Sequence, residues 1–215
     1  KMGIPALNCL GVPLQDIRQL AKTIGHSNQL GFQLWKSQYH DAKLLAVLIF
    51  EYKQMTFDDI NLLIKDVISW DLCNHLCKNL IIKIKGYQLL IPQWVTSQHI
   101  YVKRAAFVLL ACDVIHNKNI LDSTLDTYLH FIRDYSHDEH IHIKKAISTA
   151  LKEIGKKDFD YHEKALLLSY ELIQDGDKVQ RWIANDAKKE LEKLVKVQGR
   201  SRLISRHSLM GKEEH

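Results

Sequence analysis

Apolar residues recur every three to four positions along almost the whole chain, with polar residues between them. This spacing is typical of amphipathic α-helices, and the strict alternation of a half-buried strand is nearly absent. Short breaks containing Gly, Asn or Asp separate the periodic stretches, so successive helices are expected to be antiparallel neighbours. The pattern predicts eleven helices, near residues 15–23, 30–36, 41–52, 57–68, 71–83, 89–95, 100–116, 123–135, 139–155, 161–173 and 179–197.

Two of the predicted helix starts carry capping signals. Asp59 follows Thr56 by three residues, which is the spacing of a capping box, and Asp138 precedes a long apolar-periodic run. We therefore expect helices to begin directly after Thr56 and Asp138.

Four of the helices begin with similar strings, at residues 40–45, 101–106, 142–147 and 178–183. When these strings are stacked, a cation falls at the same place in each, at Lys43, Arg104, Lys145 and Arg181. The cations are spaced 61, 41 and 36 residues apart, and Trp70 begins a further helix inside the longest gap. A period of about 40 residues built from helix pairs is typical of HEAT and armadillo repeats.

The repeats predict an all-α protein: a HEAT-like repeat α-solenoid of antiparallel helix pairs with a concave basic face. Equivalent positions of a repeat face the same way, so the four cations would form one basic stripe. The alternative is that amphipathic helices carry Lys and Arg on their solvated faces in any case. We expect a single domain over residues 1–198, with a first repeat that can be incomplete, and a basic, flexible tail over residues 199–215.

Composition narrows the class of protein. The chain is 46% hydrophobic, has only three Pro and nine Gly, and carries a modest net charge of +5. No stretch approaches the roughly 20 uncharged apolar residues of a membrane span, and no secretory signal opens the chain. Four Cys without the spacing of a disulfide framework fit a reducing cytoplasm, so a cytoplasmic location is expected.

Two groups of possible metal ligands are better explained otherwise. Cys73 and Cys77 flank His75, which could be half of a zinc site, but no second pair lies at a matching spacing, and buried thiols are favoured. A second group is favoured as a solvated helix start, and its members are His137, His140 and His142. The chain has no Gly-rich phosphate loop and no Gly-x-Ser-x-Gly motif.

Several short strings, each weak alone, together resemble the AlkD-like DNA alkylation repair proteins, a family of HEAT-like DNA glycosylases. The order and distances of the strings make the resemblance specific. The strings are Leu10-Gly11-Val12-Pro13, Ile17-Arg18-Gln19-Leu20-Ala21-Lys22, Leu34-Trp35, His40-Asp41-Ala42, Ser69-Trp70-Asp71-Leu72-Cys73, Val102-Lys103-Arg104-Ala105-Ala106-Phe107, Lys144-Lys145-Ala146-Ile147, Ala150-Leu151-Lys152-Glu153-Ile154-Gly155-Lys156 and Trp182-Ile183-Ala184.

The resemblance implies excision of positively charged N3- and N7-alkylated purines from duplex DNA, with no metal or organic cofactor. The alkylated base is already a good leaving group, so the protein needs mainly to stabilise a cationic sugar and to place a water. A carboxylate with aromatic faces nearby suits that task. The expected partner is double-stranded DNA containing alkylated bases, and a monomer is expected.

The resemblance also assigns roles to individual positions. Trp70 matches the family's tryptophan at the start of its helix, and Arg104 matches the arginine that grips the phosphate beside the lesion. Asn74 stands where the family has its catalytic Asp, and Thr149 stands where many relatives have a second lesion-facing tryptophan. An amide at position 74 keeps the size and can orient a water but lacks the negative charge, for which Asp71 could compensate.

The predicted catalytic set is therefore Trp70, Asn74, Arg104 and Asp71. The predicted DNA-binding set is Lys43, Lys103, Arg104, Lys144, Lys145, Thr149 and Arg181.

Other interpretations of these residues stay open. Tryptophans at positions such as 35, 70, 94 and 182 are often core residues, Asp71 could simply be a first-turn acid favoured by the helix dipole, and Arg104 could be a structural ion-pair partner. The alternative to a glycosylase is a non-catalytic HEAT-type module that binds DNA or a protein partner. The missing acid at position 74 favours the module, whereas Trp70 and Arg104 favour the enzyme.

Overall fold

A computed structural model of the protein describes residues 8–213. Twelve α-helices lie in this part of the chain: α1 (Leu14–Ile24), α2 (Asn28–Trp35), α3 (His40–Ile49), α4 (Phe57–Lys65), α5 (Trp70–Asn79), α6 (Leu90–Trp94), α7 (Ile100–His116), α8 (Asp122–Tyr135), α9 (Ile141–Gly155), α10 (Phe159–Gln174), α11 (Lys178–Leu191) and α12 (Leu209–Glu213). Short 3-10 turns lie at Tyr52–Gln54, Ile81–Lys83 and Tyr87–Leu89. Two-residue strands, β1 (Leu194–Val195) and β2 (Ile204–Ser205), pair antiparallel.

The observed helices confirm those predicted from the apolar periodicity, and the predicted and observed bounds differ at the helix ends. The capping box at Thr56 and Asp59 is present. The helix predicted from residue 139 begins at Ile141, because the Asp138 carboxylate accepts a hydrogen bond from the His140 amide and His140 becomes the N-cap. The last long helix ends at Leu191 instead of residue 197, because Leu194–Val195 pairs with the second strand.

Contacts divide the chain into two compact units, residues 1–109 (unit 1) and residues 110–215 (unit 2), and the division falls inside α7. In unit 1, α3 packs against α1, α2 and α5. A cluster of Ile17, Ala21, Leu45 and Ile49 forms part of its core. In unit 2, α9 packs against α8, α10 and α11. The single-domain assignment over residues 1–198 stays a prediction.

Hydrogen bonds between side chains of neighbouring helices show the repeat length directly. In unit 1, Trp35 with Asp66 and His40 with Asp71 are each 31 positions apart, and Asn74 with Arg104 are 30 apart. In unit 2, Ser148 and Asp186 are 38 positions apart. The predicted period of about 40 therefore fits unit 2, whereas unit 1 has shorter repeats. The gap of 61 residues between Lys43 and Arg104 holds two of these shorter repeats.

The sequence predicts a flexible tail over residues 199–215, but within the described residues 199–213 Arg202 and Leu203 contact the helices of unit 2. Leu203 is 2% exposed, and its amide donates to the Lys156 carbonyl at 2.9 Å. The Arg202 guanidinium donates to the Val114 carbonyl near the end of α7 and to the carbonyl and carboxylate of Glu153 in α9. Leu203 and Arg202 thus attach the segment to the helices. Two residues are too few to produce a recognisable apolar periodicity in the sequence.

Candidate functional site

The candidate site begins on α5, which opens with Trp70. Ser69 has the extended backbone of an N-cap, and Asp71 adds a first-turn acid that the helix dipole favours. Asn74 follows Trp70 by one helical turn, so the two side chains share a face of the helix. Both are half-buried, whereas Leu72 and Cys73 between them in sequence are in the core. The structure therefore presents the tryptophan and the amide together.

Arg104 reaches this face from α7. Its guanidinium Nη2 donates to Oδ1 of Asn74 at 3.0 Å, and the side chain as a whole is only 7% exposed. Val102 and Ala105, its neighbours on α7, are buried and hold that helix in place. The hydrogen bond fixes the orientation of the amide, since only the carbonyl oxygen of an Asn side chain can accept from a guanidinium. Position 74 thus presents an oriented dipole beside a cation.

Asp71 is held by a different contact. Its Oδ2 lies 2.7 Å from Nε2 of His40, the first residue of α3, and His40 is buried. Burial alone would raise the pKa of Asp71, but the hydrogen bond with His40 lowers the pKa below its ordinary value. The carboxylate is therefore ionised and committed to the contact between α3 and α5, which supports a structural role for it.

His75 continues the same contact one turn further along α5. Its Nε2 lies 3.1 Å from the Leu44 carbonyl, and its Nδ1 lies 3.1 Å from Nδ2 of Asn79. A carbonyl can only accept, so Nε2 carries the proton and Nδ1 accepts from the amide. Burial lowers the pKa of His75 to about 4, which leaves the ring neutral. The sequence pattern did not predict His40 and His75 as partners in these contacts. Each lies 31 residues from its partner, His40 from Asp71 and His75 from Leu44, and this repeated spacing was the signal for the two pairs.

Asp41 joins two segments that are distant in the sequence, residues 10–13 and residues 40–42. Its carboxylate accepts from the amides of Leu10 at 2.7 Å and Val12 at 2.9 Å. Gly11 between them has φ of 75°, a left-handed conformation that favours glycine and turns both amides toward one acceptor. Burial alone would raise the pKa of Asp41, but these amides lower it below its ordinary value. Asp41 thus anchors the segment before α1.

The predicted DNA-binding cations differ in exposure. In unit 1, Lys43 and Lys103 are half-buried, and the Lys43 ammonium lies 5.2 Å from the ring centroid of Trp35. In unit 2, Lys145 and Arg181 are exposed. The basic stripe and its concave face stay predictions.

The remaining two predicted DNA-binding residues also lie in unit 2. Lys144 is half-buried, with its ammonium 4.7 Å from the ring centroid of Trp182. Thr149 is exposed, and its hydroxyl donates to the Lys145 carbonyl at 2.9 Å. Lys144 therefore lies beside α11, whereas Lys145 and Thr149 point away from the core.

Trp35 and Trp94 are confirmed as core residues. Both rings are buried, and their indole nitrogens donate to Asp66 and Asn61, respectively. Cys73, Cys77 and Cys112 are buried, and no group of metal-binding side chains lies within residues 8–213. Every helix in the same range is too short or too polar to span a bilayer.

The chain is similar to one known protein family and to several solved structures. Residues 2–191 match the protein family described as DNA alkylation repair enzyme. No curated protein sequence matches the chain. One similar solved structure is described as "a new family of proteins related to the HEAT-like repeat DNA glycosylases with affinity for branched DNA structures"; it is 17% identical, with a TM-score of 0.72 over 87% of this chain and 85% of that one. AlkD2 from Streptococcus mutans is 18% identical, with a TM-score of 0.62 over 84% of this chain and 91% of that one.

At such identities the two structures establish the fold alone, and they confirm the all-α, HEAT-like repeat architecture. The family match extends over most of the chain and includes the strings around Trp70, Asn74 and Arg104. The chain therefore belongs to the DNA alkylation repair enzyme family.

Proposed function

We propose that this protein binds duplex DNA containing N3- or N7-alkylated purines and excises those bases slowly. The observation that carries the proposal is the hydrogen bond between Arg104 and Asn74, one helical turn from Trp70. An aromatic ring, a cation and an oriented polar group are thereby brought together, and the polar group is an amide. A site of this kind can bind an alkylated base and a phosphate, but it lacks a carboxylate that would stabilise a positively charged sugar.

The reaction needs little from the protein. The bond between C1′ of the sugar and the alkylated base breaks heterolytically, and the electron pair leaves with the base, whose positive charge is thereby neutralised. The sugar becomes an oxocarbenium ion, which a water attacks at C1′ before losing a proton to solvent. The face of the Trp70 ring attracts positive charge on the base or the sugar, and Arg104 would pair with a phosphate.

The amide of Asn74 contributes less than a carboxylate would. Its carbonyl oxygen carries only a partial negative charge, and that oxygen already accepts from Arg104. It could orient the attacking water but cannot balance a full positive charge on the sugar. Asp71 does not substitute for the missing charge in this proposal, because its carboxylate is paired with His40. A slow chemical step follows from these two contacts.

Release of free base from methylated duplex DNA tests the proposal. Under single-turnover conditions, we expect 3- or 7-methylpurine to appear faster than spontaneous depurination, and Trp70→Ala to return the rate to the spontaneous value. Lys212→Ala, a change near the chain end, should leave the rate unchanged. Base release by the parent protein that is no faster than depurination would contradict the enzymatic half of the proposal.

A second candidate function is a repair-family module that binds DNA without chemistry. The absence of a carboxylate at position 74 favours it, and one structural neighbour is described as related to glycosylases and as having affinity for branched DNA. Binding of methylated duplex without any accelerated base release, in the parent and in Trp70→Ala alike, would establish this function.

A further inference from the structure

We propose that Trp182, on α11 of unit 2, is a stacking surface for an unpaired base of a DNA strand. The inference deepens the proposed DNA partner and rests on it for the identity of the ligand. It concerns residues other than Trp70, Asn74 and Arg104, and it requires no base excision.

The first argument is that the fold does not need this tryptophan in its core. Helix α11 buries a stripe formed by Ile183, Ala184, Ala187 and Leu191. Trp182 lies beside that stripe and remains 37% exposed, whereas Trp35 and Trp94 are 3% and 4% exposed. Exposing so large an apolar ring forgoes the favourable free energy of burying it. A ring that is kept at the surface is free to contact a ligand.

The second argument is the charge around the ring. The Lys144 ammonium lies 4.7 Å from the ring centroid, and Lys145 and Arg181 next to these two residues are exposed. The acid one turn further along α11, Asp186, accepts from the Ser148 hydroxyl at 2.6 Å and from the Lys152 ammonium at 2.8 Å, so its charge is compensated. The surroundings of Trp182 are therefore cationic.

An exposed aromatic ring among cations is the combination that binds single-stranded nucleic acid, because bases stack on the ring while phosphates pair with the cations. A fully paired duplex covers the faces of its bases by stacking, so only an unpaired or terminal base can offer its face to the indole. The ligand that fits is thus a strand with unpaired bases, as occurs at a gap, a flap or a junction.

The experiment uses the full chain and a short single-stranded oligothymidylate as the probe. We expect the probe to quench tryptophan fluorescence, and Trp182→Phe to remove most of that quenching while retaining most of the affinity. Trp182→Leu should weaken binding of the probe roughly tenfold, the scale of one lost base–aromatic stack. Because Trp182 lies outside the core, thermal unfolding of both variants should match the parent.

Two controls separate this inference from the proposed function. Inorganic polyphosphate carries the charge without bases, and a relaxed, covalently closed circular duplex has neither unpaired nor terminal bases; binding of both should be insensitive to Trp182→Leu. Unchanged affinity of Trp182→Leu for oligothymidylate would overturn the stacking surface, as would quenching by polyphosphate equal to that by the oligonucleotide. If the methylated duplex fails to bind while binding of oligothymidylate still depends on Trp182, the proposed function fails and this inference survives.

Discussion

The most consequential single residue is Asn74. A family-like carboxylate would place a full negative charge on the face that it shares with Trp70, whereas the amide places only a dipole there and directs its oxygen to Arg104 at 3.0 Å. The amide thus preserves the contact between α5 and α7 without the charge. Either an amide or a carboxylate at position 74 can accept the hydrogen bond from Arg104. The packing contact and the charge at this position can therefore be changed independently.

Asn74→Asp should raise the rate of methylpurine release by at least about tenfold, equivalent to about 1.4 kcal/mol of transition-state stabilisation, with little change in DNA affinity. The new carboxylate would still accept from Arg104 and would add the charge that the developing sugar cation lacks. Single-turnover rates measured beside Kd values check this expectation. The matched control is Asn74→Ala, which should be no faster than the parent. An unchanged rate in a folded, DNA-binding Asn74→Asp protein would show that position 74 is not catalytic.

His75 makes the stability of the protein depend on pH. Burial lowers its pKa from 6.5 to about 4, so between these values the unfolded chain binds a proton that the folded chain does not. The free energy of unfolding should therefore fall as pH falls through this window, by up to roughly 3 kcal/mol from this residue. Urea titrations at several pH values measure the slope. His75→Gln, which keeps a donor for the Leu44 carbonyl, should flatten it, whereas exposed His207→Gln should not.

At the scale of elements, neighbouring helices are joined by polar seams with a four-residue period. In unit 1, His40 and Leu44 of α3 meet Asp71 and His75 of α5. In unit 2, a corresponding seam runs between α9 and α11, formed by Lys144 with Trp182, Ser148 with Asp186, Lys152 with Asp186 and Glu190, and Lys156 with Glu190. The carboxylates that are hydrogen-bonded or ion-paired in the seams, such as Asp71 and Asp186, already have partners, whereas the exposed part of Trp182 remains accessible to a ligand.

Arg202 is the element-level contact that is most open to a test. Arg202→Ala would remove three hydrogen bonds to α7 and α9, so the free energy of unfolding should drop by about 2 kcal/mol or more. Arg200→Ala is the matched control, because Arg200 is exposed and its guanidinium donates to the sulfur of Met210 at the surface; a change within about 0.5 kcal/mol is expected. Equal urea midpoints for the two variants would show that the segment after residue 198 does not stabilise unit 2.

At the scale of the whole molecule, each of the two units carries cations of the predicted DNA-binding set. Unit 1 contains Lys43, Lys103 and Arg104, and unit 2 contains Lys144, Lys145 and Arg181. Because the net charge of the chain is only +5, the placement of these cations matters more than their sum. Binding of DNA to the cations of either unit would neutralise phosphates.

Duplex affinity should accordingly fall steeply with salt, with a log–log slope of about −0.9 per phosphate neutralised. Lys145→Ala and Arg181→Ala, both at exposed positions, should each make the slope shallower by about 0.9, whereas Lys212→Ala should not change it. Fluorescence anisotropy over a salt series gives the slopes. A salt-independent affinity, or equal slopes for all four proteins, would argue against the basic stripe.

The sequence by itself determined the helical class and the family, and it placed the candidate residues Trp70 and Asn74 on one helix. These properties follow from local rules: apolar periodicity specifies a helix, and residues one turn apart, such as Trp70 and Asn74, share a face whatever surrounds them. The shorter repeat of unit 1 was also present in the sequence, since Asn74 lies about midway between Lys43 and Arg104. The predicted period of about 40 residues concealed it.

Only the tertiary structure decided which polar groups meet. Arg104 is hydrogen-bonded to Asn74, His40 to Asp71, and Asp41 to two amides of the preceding loop. Each of these contacts joins residues about 30 positions apart in the sequence. The packing of Arg202 against α7 and α9 was likewise invisible in a short, weakly periodic segment. The physical reason is that a helix is specified by neighbours three and four residues apart, whereas these contacts depend on how whole helices pack, which a local pattern does not encode.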